Sequence, residues 1–436
     1  MLFVHRLFWA AVVLSGPSLA GVTAIQVNNA AATSDLRSGQ ATGDLFALRA
    51  VVADVLSAHT DVQAARASAA AAEAASDGAA QPLFNPELEI SSERTDISTN
   101  TVGVTQTLDW HDKGAARARV AELELVTARA DARLAEYDTA AATLLALARF
   151  HSARETAVLR DEQAQLLQRV AELADQRLSA GDIGQAETDF IHVGAEQAAN
   201  AAVDAQAALV EAQAALSVAT QSQRTEWPMP PPAFQVDDLP VRAELAALEQ
   251  PELSPAALAM LDTLPRVASA RARADASEAL VRVAAKERRA DPTLGLTLGR
   301  EDEENLVGVS ISIPLYVRNT YAAVERRAHA EAAAVQAELE RARKAARIEW
   351  LQAASRFRLA ATTWQRSHDA KHRTVSEQLD TLERQWRAGD LTTSDYWQQS
   401  GEYLGAQIAA IDIRARAWEA WIQWLAASGK LAQWLP

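Results

Sequence analysis

The stretch NLVGVSISIPLY, residues 305–316, breaks the rhythm of the chain around it. Val307, Val309, Ile311, Ile313 and Leu315 alternate with Gly308, Ser310, Ser312 and Pro314. One face of the extended chain is therefore apolar and β-branched, and the other carries only small residues. An earlier segment repeats the pattern, with Val102, Val104, Leu108 and Trp110 on one side and Gly103, Thr105, Thr107 and Asp109 on the other. Leu88 and Ile90, then Leu294, Leu296 and Leu298, supply partner strands, and the polar runs RTDISTN and REDEEN read as turns. The spacing predicts two β-hairpins, the first with strands at about 87–93 and 102–110, in a chain that is otherwise helical.

The hairpins belong to a duplicated unit. Val62 pairs with Val267, Asn85 with Asp291, Val102 with Val307 and Ala180 with Ala388, at offsets of 205, 206, 205 and 208 residues. Each unit reads as helix, hairpin, very long helix, turn and return helix. The first helix covers about 44–80. The first long helix runs from Ala115 to about Ser179 without proline or glycine, about 100 Å at about 1.5 Å per residue. Leu134, Tyr137, Ala141, Leu144 and Ala148 recur at coiled-coil spacing, as do Leu166, Val170 and Leu173. The second long helix spans about Ala322 to Ala388, and return helices cover about 184–220 and 392–428. Both long helices stop at Ala-Gly-Asp, where Asp182 and Asp390 read as N-caps of the helices that follow. The expected organisation is a signal peptide at 1–24, repeats at 25–221 and 254–436, and a Pro-rich linker at 222–253.

His5 and Arg6 precede a short apolar run and small residues at Ala20 or Ala24, the pattern of a cleaved secretory signal. The sequence contains no cysteine, which excludes disulfides, thiolate metal sites and a lipidated cysteine anchor. The net charge of −15 becomes −16 once Arg6 is removed, so nucleic acid and anionic membrane surfaces are unfavourable partners. No apolar run of about 18 residues follows the signal, so a membrane crossing would have to be a β-barrel. Four strands cannot close one, because about eight are needed and open edges are not tolerated in lipid. Several chains would have to pool their strands. A soluble sheet with one buried face alternates identically, so a periplasmic coiled-coil scaffold is the alternative reading.

With its two strand hairpins and two long helical hairpins, the exported chain resembles the TolC-type outer-membrane efflux family. The segment ISIPLYVRN, residues 311–319, further resembles the branch serving cobalt–zinc–cadmium-type exporters. The resemblance implies a mainly helical homotrimer in which four strands per chain form a shared outer-membrane β-barrel, continued by a periplasmic α-barrel. It implies passive conduction from an inner-membrane efflux transporter through a periplasmic adaptor, no enzymatic activity and no cofactor. The adaptor-contact tips correspond to Ala180, Gly181, Asp182, Ala388, Gly389 and Asp390. Pore candidates are Glu187 and Asp395, with Gln398 where some members carry a second acid. Gly308, Ser310 and Ser312 would face the lumen, and Val307, Val309, Ile311 and Ile313 the lipid. His368 and His372, four apart, lack the third ligand a zinc site needs. Trp418, Trp421 and Trp424 read as helix-packing residues.

Overall fold

The computed structural model describes residues 47–94, 96, 98–224, 227, 255–369 and 375–435. The expected signal segment, most of the expected linker and His372 lie outside them. The first expected helix is two, α1 (47–58) and α2 (Thr60–Ala79). They meet at His59, whose Nδ1 accepts from Asp61 N at 3.3 Å while its own backbone N–H still donates to Val55 O. Then come β1 (Glu87–Arg94), β2 (Ser98–Thr107), α3 (Lys113–Ala180) and α4 (Gln185–Thr220). The second unit comprises α5 (Pro255–Leu261), α6 (Pro265–Glu287), β3 (Thr293–Glu301), β4 (Glu304–Ser312), α7 (Ala322–Asp369), α8 (Val375–Arg387) and α9 (Thr393–Ala427). A 3₁₀ turn, Lys430–Trp434, follows. With 68 residues α3 spans about 100 Å, as its unbroken helical composition requires.

The strands form one antiparallel sheet in the order β1-β2-β3-β4. Their ends differ from the alternation: β2 starts at Ser98 and stops at Thr107, where the alternation predicts a strand at about 102–110, and β4 stops at Ser312. Pro314, which has no N–H to donate, follows the end of β4 closely, leaving Ile313 just beyond the strand. Leu108 N donates to Pro292 O, and the chain turns at Trp110. Asp109 therefore leaves the small strand face. Its carboxylate instead accepts from Lys113 N and Gly114 N, both at 2.7 Å, and caps α3. Partial burial pushes the Asp109 carboxyl up, but these amides, His111 N–H and the Lys113 charge hold it below its usual value.

Each strand continues into a helical rod. The end of α4 abuts the start of α2, where Gln221 Oε1 accepts from Thr60 N and its Nε2 donates to Thr60 Oγ1, both at 2.9 Å. Likewise Gly429, just after α9, packs on Leu264, just before α6. Four rods thus lie side by side in the order α4/α2, α3, α9/α6, α8/α7, beneath β1, β2, β3 and β4. Midway along, Tyr137 and Leu144 of the predicted seam join Phe357, Trp350 and the α9 tryptophans in the largest core. Trp424 lies 5.4 Å from Trp350 and parallel to Phe357 at 6.4 Å, so these rings pack helices together as expected. Tyr137 Oη donates to Ala426 O at 2.6 Å, satisfying a carbonyl at the α9 terminus.

Candidate channel wall and entrance tips

Register assigns every strand residue to a face. Ile90, Val102, Leu298 and Val307 form one cross-strand row, and Leu88, Val104, Leu296 and Val309 the next. Leu294 and Ile311 extend the same face. All are exposed, Val309 at 82 % and Ile90 at 73 %, although burying such side chains is worth about 1.5–3 kcal/mol each. Among the described residues nothing covers this face.

The opposite face carries the rows Glu89–Gly103–Thr297–Gly308, Glu87–Thr105–Gly295–Ser310 and Glu93–Thr99–Glu301–Glu304. Ser312 lies on it too, paired with Thr293. Within the strands this face holds the carboxylates of Glu87, Glu89, Glu93, Glu301 and Glu304 and no basic residue, because Arg94 and Arg300 fall on the other side. Sequence reasoning passed over these acids. Hairpin register, which puts Glu89 opposite Gly103, was the signal that could have found them. The outer edges of β1 and β4 have no partner strand among the described residues.

A buried ion pair joins sheet to rods. Lys113 Nζ lies 2.8 Å from Asp291 Oδ2 and donates to Arg289 O at 2.6 Å. The two side chains are only 8 % and 6 % exposed, and Asp291 Oδ1 is buried with no partner. Lys286 Nζ, donating to Asp112 O at 2.9 Å, and the Arg117–Glu287 pair flank it. The pair ties the first turn of α3 to the approach to β3, and thus one unit to the other.

At the far end both turns have one geometry. Gly181 and Gly389 each adopt φ 82°, the left-handed conformation glycine tolerates best. Gly181 N donates to Leu178 O and Asp182 N to Arg177 O, while Gly389 N donates to Trp386 O and Asp390 N to Gln385 O. These bonds close the preceding helix. The N-caps of the return helices are Gly184 and Thr392, two residues further on, which corrects the expectation for Asp182 and Asp390. All six tip residues are exposed.

Glu187 is half-buried in the first turn of α4, and Asp395 is exposed in the first turn of α9. Thr392 Oγ1 accepts from Asp395 N at 3.0 Å and donates to its carboxylate at 2.7 Å. Gln398 Nε2 donates to Glu402 Oε1 at 3.0 Å, so Asp395, Gln398 and Glu402 form one polar stripe. Below it, Trp386 stacks on Tyr396 at 4.6 Å under the guanidinium of Arg177, which also donates to Thr393 Oγ1. Gly194 admits Trp397 against the α4 backbone, where a Cβ would sit 2.0 Å from the indole. Gly194→Val is expected to lower tip stability by about 1–3 kcal/mol through overpacking. Thermal unfolding followed by tryptophan fluorescence checks this, and an unchanged midpoint would mean the indole moves freely aside. His368 lies in α7, with its partner in the HDAKH motif outside the described residues.

No family model matches the chain. It is 29 % identical over 251 residues to the cobalt-zinc-cadmium resistance protein CzcC of Cupriavidus metallidurans, a match covering 55 % of this chain and 56 % of that protein. The chain thus spans little more than half the length of this curated relative. Its structure superposes on the CmeC outer membrane channel of Campylobacter jejuni with a TM-score of 0.68 at 14 % identity, covering 88 % of this chain and 85 % of the other. The outer-membrane channel OprN gives 0.68 at 17 %, covering 89 % and 92 %. The fold is that of the TolC-type outer-membrane channels: a helical barrel segment carrying a small antiparallel sheet.

Proposed function

We propose that the chain is the outer-membrane duct of a tripartite efflux system, working as a homotrimer. The observation that carries this reading is the sheet, apolar on one face, small and acidic on the other, with that apolar face uncovered and both edges unpaired among the described residues. Four strands from each of three chains, twelve in all, would close those edges and put the apolar face in lipid. Gly308, Ser310 and Ser312 would then line the lumen, and Val307, Val309, Ile311 and Ile313 would face lipid. The rods continue the wall into the periplasm. There the six tip residues would meet an adaptor protein, which delivers cargo from an inner-membrane transporter. Glu187 and Asp395, supported by Gln398, would ring the narrow entrance. Conduction is passive and requires no catalytic group.

The cargo we propose is cationic. The lumen wall holds five carboxylates per chain in the strands, and a ring of carboxylates repels anions and attracts cations. The likeness to a cobalt-zinc-cadmium resistance protein supports heavy-metal ions in particular. In planar bilayers under a salt gradient, the protein is expected to show a cation-selective reversal potential. Glu87→Gln with Glu89→Gln, which removes two of five wall charges, should reduce that potential by about half. Anion selectivity, or no conductance from a trimeric preparation, would overturn the reading.

A further inference from the structure

We infer that the apolar side of the sheet carries, at its outer rim, a binding site for phosphate-bearing lipid headgroups of the outer leaflet, built on Arg94 and Arg300. The inference rests on the trimeric-barrel reading and names the lipid chemistry that the rim selects. The net charge of −15 disfavours anionic surfaces for the chain as a whole. Sheet register, however, sorts the strand charges by face. Glu87, Glu89, Glu93, Glu301 and Glu304 all lie on the small-residue side, and the charged strand residues on the apolar side are both arginine.

Both arginines stand at the turn end of the sheet, away from the rods. Along the apolar side the rows run from Leu294–Ile311 through Leu88–Val104–Leu296–Val309 to Ile90–Val102–Leu298–Val307. The next row is Ser92–Asn100–Arg300–Asn305, and Arg94 stands one row beyond it, opposite Ser98. Arg94 and all four residues of that polar row are exposed. Arg300 lies two residues past Leu298, about 7 Å along the strand. An arginine on the lipid face of a barrel is costly at mid-bilayer and nearly neutral at the interfaces. In a barrel whose rods enter the periplasm, this rim is where the hydrocarbon ends and the outer-leaflet headgroups begin.

Neither arginine is neutralised within the chain: no ion pair joins either to a carboxylate among the described residues. The turn acids Asp96, Asp302 and Glu303 lie beyond the strand ends, and Asp302 Oδ1 already accepts from Ser98 N at 3.0 Å. Ser92 Oγ donates to Asn100 Oδ1 at 2.7 Å, which leaves the Asn100 NH2 with no acceptor among the described residues. Two guanidiniums thus share their side with neutral donors and with no strand carboxylate, the complement of an anion. Guanidinium forks bind phosphate bidentately, and their stems can lie along the apolar rows beneath. The two arginines are two strands and two residues apart, about 12 Å at Cα from sheet spacings. Each guanidinium can therefore hold its own phosphate of a two-phosphate headgroup.

The test compares a bis-phosphorylated glycolipid, lipid A, with the same lipid after removal of its phosphates, each added to the detergent-purified trimer. Native mass spectrometry counts the lipids retained per trimer. Retention of the phosphorylated lipid is expected to be about tenfold stronger, and Arg94→Gln with Arg300→Gln should abolish the difference. Equal retention of the two lipids by the wild-type trimer, or an unchanged preference in the double variant, would overturn the site. Displacement of the lipid by an equal concentration of inorganic phosphate would make the site one for the free ion, and would overturn it too. The wild-type comparison stands whether or not the double variant assembles. A monomeric native mass would overturn the trimeric reading itself.

Discussion

A chain carrying Val309→Arg is expected to fail to assemble in the outer membrane, whereas its neighbour Gly308→Arg assembles. Val309 sits in the middle of β4, its side chain 82 % exposed on the face with no polar side chain nearby. An arginine at the bilayer midplane of a barrel costs about 2–4 kcal/mol, so three symmetric copies cost about 6–12 kcal/mol. That is comparable to the net stability of a typical folded domain, about 5–15 kcal/mol, and the substitution should therefore be decisive. Gly308 points to the opposite face, where a Cβ would meet only Thr297 Cβ at an ordinary 3.8 Å. Its arginine would project into water and alter conductance rather than assembly. The readout is the detergent-extracted yield from outer-membrane fractions. Val309→Arg recovered at wild-type yield would put the apolar face in water rather than lipid.

Lys113→Met is expected to destabilise the chain by about 3–5 kcal/mol, because it strips the counter-charge from a carboxylate that stays buried. Asp291 is poorly placed to absorb that loss, with Oδ1 already unpartnered and no water-facing route for the side chain at 6 % exposure. Replacing both partners, Lys113→Met with Asp291→Leu, should regain most of the stability, since the desolvation penalty of the pair disappears with its attraction. Denaturant unfolding of the two variants gives the comparison directly. A single variant within about 1 kcal/mol of wild type would mean water reaches the site. The pair bridges positions 113 and 291, so its loss should also loosen the sheet from the rods.

The long elements were legible because one physical signal dominated each. An uninterrupted helical composition over α3 and a period of two at Val307–Ile311 leave little room for another outcome. Element ends were decided by competing groups. Asp109 was read as a strand residue, yet its carboxylate is needed by the bare amides of Lys113 and Gly114. Asp182 and Asp390 follow a glycine as N-caps often do, yet the backbone N–H of each closes the helix before it, and the cap falls to Gly184 and Thr392. The wall acids were missed because β1 was read only for Leu88 and Ile90, and because Glu301 and Glu304 were assigned to a turn where the strands in fact continue. Lys113 and Asp291 could not be paired from the sequence at all, since only the β2–β3 junction of the two units brings them together.

The central claim is that these four strands are a share of a common barrel. The native mass of the full-length protein, extracted from the outer membrane in mild detergent and corrected for bound detergent, tests it most directly. A stable trimer is predicted. A monomer released by osmotic shock and soluble without detergent would contradict it, and would leave a periplasmic helical scaffold with a sheet that some other partner must cover.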